Sequence, residues 1–73
     1  MKPEDIKPGM EFAYQIDSVL ATGTFHGLVG GTGDKFVGEI CPGRLRHWST
    51  RYIIAARKPR TLTNWFPKWE IVE

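Results

Sequence analysis

The 73-residue chain has a single cysteine, Cys41, so no internal disulfide can form. The setting this implies is reducing and cytoplasmic. There is no long apolar run either. The longest stretch free of Asp, Glu, Lys and Arg is 18–33, and Gly, Thr and His26 fill it. That is too polar for a membrane span, so no membrane association is expected. The opening MKPEDIKPGM has charges but no apolar centre, and the expectation is that no secretory signal is present. Paired Cys or His at zinc spacing are missing. His26, Cys41 and His47 form no such pair, so no metal and no cofactor are expected. Cys41, before Pro42-Gly43, is expected to fill a small space at a strand end.

Catalytic spacing is absent too. Cys41, His26 and Asp17 supply the residue types of nucleophilic catalysis, but no motif brings them together. A chain of this length also leaves little room for a substrate cavity beside its core. No enzymatic activity is expected, and no catalytic residue is assigned.

The remaining scarcity is of negative charge, and it is local. Residues 1–40 hold three lysines against six acids, a balance of −3. Residues 41–73 hold seven bases against Glu70 and Glu73, a balance of +5, and no acid occurs anywhere in 40–69. This polarity is the strongest compositional signal in the chain.

What is present reads as one all-β domain over 1–73. At 41% hydrophobic and 25% charged, the composition is that of a folded protein. The opening KPEDIKPGM predicts an irregular or one-turn helical arm. MEFAYQI alternates, with Met10, Phe12, Tyr14 and Ile16 on one face, as a half-buried strand requires. Asp17-Ser18 reads as a tight turn. VLATGTFHGLV and KFVGEI read as strands around a GGTGD turn, and CPGR as another turn. LRHWSTRYIIAAR reads as one unbroken strand, with His47, Ser49, Arg51 and Arg57 opposite Trp48, Tyr52 and Ile54. After the KPRTLTN loop, WFPKWEIV reads as a last strand that Pro67 confines to an edge or a bulge. No window holds helical periodicity for three turns. Five short strands in so short a chain predict a small barrel, SH3-like or, as the alternative, OB-like.

Six of the eight glycines fall in 23–38, GTFHGLVGGTGDKFVG. Three phosphate-binding templates fail there. Asp34 and a following strand break the Walker A pattern, Phe36 takes the third glycine position of a dinucleotide fingerprint, and the apolar Leu28-Val29 pair spoils a KH-type GXXG. Bends and a hairpin loop account for these glycines.

The functional signal lies downstream. RLRHWSTRYIIAARKPRTLTNWFPKW interleaves bases with aromatic rings. Arginine and lysine neutralise phosphates, and exposed rings stack on unpaired bases. The candidate binding residues are Arg44, Arg46, His47, Arg51, Arg57, Lys58, Arg60, Phe66 and Lys68. Trp48, Tyr52, Trp65 and Trp69 are assigned to the core, because a small barrel needs large side chains to fill it. The expected function is a non-catalytic nucleic-acid-binding module. A first alternative uses the same residues to dock on an acidic protein partner, as an adaptor or inhibitor of a size that fits a phage or mobile-element product. A second is a binder of a small anionic ligand such as a nucleotide, at the glycine loop or between the subunits of a homodimer.

Overall fold

A computed structural model of the chain describes residues 1–40 and 42–73. Cys41 and the space expected for it lie outside the described residues. Those residues form a 3₁₀ turn (Pro3–Asp5), β1 (Glu11–Ile16), β2 (Val19–Val29), β3 (Lys35–Glu39), β4 (Arg46–Ser49), a second 3₁₀ turn (Thr50–Tyr52), β5 (Ile53–Arg57) and β6 (Glu70–Ile71). The strands make one antiparallel sheet in the order β4-β3-β2-β1-β5-β6. Its edges, β4 and β6, do not pair, so the sheet is not closed into the barrel expected from strand count. No helix among the described residues is long and apolar enough to cross a membrane.

Alternation in β1 puts Phe12 and Tyr14 into the core, while Ile16 at the strand end is exposed. Asp17 takes φ +54° in the two-residue turn that returns the chain into β2, a conformation aspartate tolerates. In a flat sheet, strands two apart lie about 9.5 Å from each other and strands three apart about 14 Å. Here the rings of Phe12 on β1 and Phe36 on β3 are 4.9 Å apart, and those of Tyr14 on β1 and Trp48 on β4 are 5.3 Å apart. The sheet therefore curls tightly around its aromatic face. Phe12, Phe25 and Phe36 are fully buried there, with Ile6, Met10, Ile53 and Ala56 around them.

Two glycines permit this curl. A Cβ on Gly38 would lie 2.8 Å from Phe36 Cε2 and 2.9 Å from Phe12 Cε1. A Cβ on Gly23 would lie 2.5 Å from the carbonyl oxygen of Glu39. The glycine stretch thus forms bends and a hairpin loop, as its failed phosphate templates implied. The loop is held by Thr50, whose N–H donates to the Asp34 carbonyl at 2.8 Å and whose hydroxyl donates to the Gly33 carbonyl at 2.9 Å.

The same contacts correct the long strand expected over 45–57. Thr50 ties the chain to the glycine loop, and the residues around it turn through a 3₁₀ step instead of extending. The single strand becomes β4 and β5, four places apart in the sheet, and five expected strands become six. The alternation also changes phase across the turn: Ile53 is buried and Ile54 is exposed. The last expected strand shrinks to Glu70–Ile71, because 65–69, interrupted by Pro67, makes no ladder.

Candidate nucleic-acid interface

The split distributes the basic residues into two groups. Arg44 precedes β4, and Arg46 and His47 lie on it, all three exposed at a sheet edge. Arg46 and Trp48 share one face of β4. With Ile40 and Arg44 they line a shallow, largely apolar hollow of about 170 Å³. Trp48 packs against the core, as expected, with its indole Nε1–H buried and unpartnered among the described residues. The second group follows β5: Arg57, Lys58, Arg60 and, after the loop, Lys68. Arg51 stands between the groups on the 3₁₀ turn, its guanidinium 5.3 Å from the centre of the Tyr52 ring. The single strand face expected to carry His47, Ser49, Arg51 and Arg57 together does not exist.

Arg57 differs from the others. Its Nε and Nη2 donate to Glu11 Oε2 at 2.9 and 2.7 Å, and its guanidinium lies 4.5 Å over the Trp69 ring. Only 13% of its side chain is accessible. Arg57 is therefore a structural cation that fastens β5 to β1 and Trp69 to both. Arg60 approaches Glu11 more loosely, with Nε at 3.5 Å and nearly half its side chain exposed. Among the described residues, no carboxylate lies within salt-bridge reach of Arg44, Arg46, Arg51, Lys58 or Lys68.

The aromatic assignments divide. Tyr52 and Trp48 pack on the core. Trp65 is 58% exposed and Trp69 39% exposed, against the expectation that both fill the interior. The core is built from Phe12, Phe25, Phe36 and Tyr14, with Trp48 and Tyr52 packed against them, and Trp65 and Trp69 lie outside that cluster. Phe66, expected outside, is 82% exposed. Sequence reading missed Leu62, which is 94% exposed at the tip of the same loop. That loop is ordered by its own bonds. Thr61 N–H donates to the Asn64 carbonyl at 2.9 Å, and Asn64 N–H donates to Thr61 Oγ1 at 3.0 Å. Pro67 is buried beneath it. The polar turn residues and the proline were the available signal that the rings between them face outward. A notch of about 390 Å³ opens beside the loop, lined by Lys58, Asn64, Phe66, Pro67, Lys68 and Glu70.

The acidic half of the chain carries one further arrangement. Glu39 accepts from Gly43 N–H at 2.6 Å and pairs with His26 Nε2 at 3.0 Å. The Gly43 N–H, and then His26, hold the Glu39 carboxyl below its ordinary value of 4.5. This bond braces the turn that presents Arg44. Burial pushes the Tyr14 phenol above 10.0, opposed by its bond to the Ser49 backbone.

No protein-family model matches the chain, and no match was found among curated proteins or among solved structures.

Proposed function

We propose that this chain is a non-catalytic nucleic-acid-binding module on an SH3-like, half-open sheet. The strand order supports that description: a four-strand meander, a single 3₁₀ turn, and β5 returning beside β1. The observation that carries the function is the fate of the bases in the acid-free run. Arg44, Arg46, His47, Arg51, Lys58, Arg60 and Lys68 all stay on the surface, and Arg57 alone is drawn into the fold. Five of these, all but His47 and Arg60, are exposed cations with no carboxylate in salt-bridge reach among the described residues, which is what phosphate neutralisation requires. The test is affinity for a labelled oligonucleotide at about 50 and 200 mM salt, where each phosphate contact adds to the steepness of the loss. Arg44→Ala and Lys68→Ala should each flatten the slope, and absence of binding at the lower salt removes the reading.

A second reading, docking on an acidic protein, is favoured by Leu62. An aliphatic tip has no face to stack on a base but suits a protein interface. Binding of a poly-glutamate peptide as tight as that of an oligonucleotide, and lost in Leu62→Ser, would favour it.

A further inference from the structure

The loop 58–69 carries a consequence beyond general phosphate binding. We infer that the nucleic acid taken by this module is single-stranded, with bases stacked on Trp65 and Phe66 and phosphates held by Lys58, Arg60 and Lys68. The inference rests on the nucleic-acid reading above.

Three observations point the same way. Trp65 and Phe66 are adjacent, large and exposed, on a loop fixed by the Thr61–Asn64 bonds and the buried Pro67. Rings held outward in advance lose little entropy when they bind. In a duplex the base faces are already stacked on one another, so such rings gain contact with bases only where the strand is unpaired. Trp69 is not a third platform, since Arg57 covers it at 4.5 Å.

The second observation is the notch beside Phe66. It has Lys58 and Lys68 on its wall but also Glu70. A phosphate entering would meet that carboxylate, whereas a base would find in Glu70 and Asn64 an acceptor and a donor for its polar edge. The arrangement therefore places bases inward and phosphates on the cationic rim. The third observation concerns duplex readers. The major groove admits a helix or a two-stranded ribbon. Among the described residues, helical structure is limited to two three-residue turns. The β1–β2 hairpin ends in Ile16, Asp17, Ser18 and Val19, with no cation, so the β3–β4 hairpin with Arg44 and Arg46 is the ribbon that the comparison with a duplex puts to the test.

The experiment compares the full chain with an oligothymidylate of about ten nucleotides and a duplex of the same length, read by tryptophan emission and anisotropy. The single strand should bind about tenfold or more tightly than the duplex and quench the emission. Trp65→Ala and Phe66→Ala should each weaken single-strand binding by about 5- to 100-fold, with the quench much reduced in Trp65→Ala. Trp65→Tyr should restore affinity, because it keeps a ring. Both positions are exposed, so folding is preserved, as circular dichroism will check. Equal affinity for duplex, or unchanged single-strand affinity in both alanine variants while salt still weakens binding, overturns the stacking inference and leaves the nucleic-acid reading standing. Failure of both oligonucleotides to bind at about 50 mM salt overturns both. Self-association lost in Phe66→Ala, without oligonucleotide binding, would assign the loop to a second copy of this chain instead.

Discussion

Gly38 sits under the Phe12 ring, where no side chain fits. Gly38→Ala should cost about 1–3 kcal/mol, since both neighbouring rings are fully buried and have nowhere to move. Gly31→Ala, in open space, should be close to neutral by the same thermal unfolding measurement. Arg57 and Arg44 separate in the opposite sense. Arg57→Ala breaks the bonds to Glu11 and the stack on Trp69, and should lower stability by about 1–3 kcal/mol. Arg44→Ala should leave the unfolding midpoint unchanged and alter only binding. Glu39 gives a pH signature. Its carboxyl titrates lower in the folded chain than its ordinary 4.5, so its contribution to stability is present above that value and is lost as pH falls below it. The stability gap between the natural chain and Glu39→Gln should therefore be open at neutral pH and close in acid. A gap that stays constant with pH contradicts the bond to Gly43.

At the scale of elements, the joint between the glycine loop and the Thr50–Tyr52 turn decides the topology. Thr50→Val removes the hydroxyl bond to Gly33 and should cost about 1 kcal/mol. Amide exchange at 30–34 should rise before exchange in β1 does, because the loop is released while the core stays intact. This joint also explains what the sequence could and could not convey. Alternation in MEFAYQI and the Asp17-Ser18 turn are local signals: the strand and the turn appear in the structure, with Met10, Phe12 and Tyr14 buried as read, while Ile16 is exposed and Ala13 is buried as well. The failure of the phosphate templates correctly left the glycines to bends and close packing. The break after Ser49 is not local. Ser, Thr, Arg and Tyr all suit a strand, and only carbonyls sixteen and seventeen residues upstream draw Thr50 into a turn. The outward Trp69, which unlike Trp65 has no turn residues flanking it, is invisible for a related reason. A tryptophan reads as core until the core's volume is known to be filled by Phe12, Phe25 and Phe36.

At the scale of the whole molecule, the charge polarity of the sequence partly survives folding. Glu11 pairs with Arg57 and approaches Arg60, and Glu39 takes His26, so some of the acidic half is spent on internal pairs. The remaining bases lie in two exposed groups, on the β4 edge and around the loop that follows β5. Two separated cationic groups suit a flexible chain of phosphates that can run from one to the other. The candidate residues were legible because charge composition is a property of sequence. Their grouping was not, since it depends on where β4 and β5 part. The most direct test is the salt dependence of oligonucleotide binding by the intact chain. Affinity should fall steeply between about 50 and 200 mM salt, with a slope reduced by replacing Arg44 or Lys68. Affinity that does not change with salt, or no binding at the lower concentration, would contradict a phosphate-gripping surface.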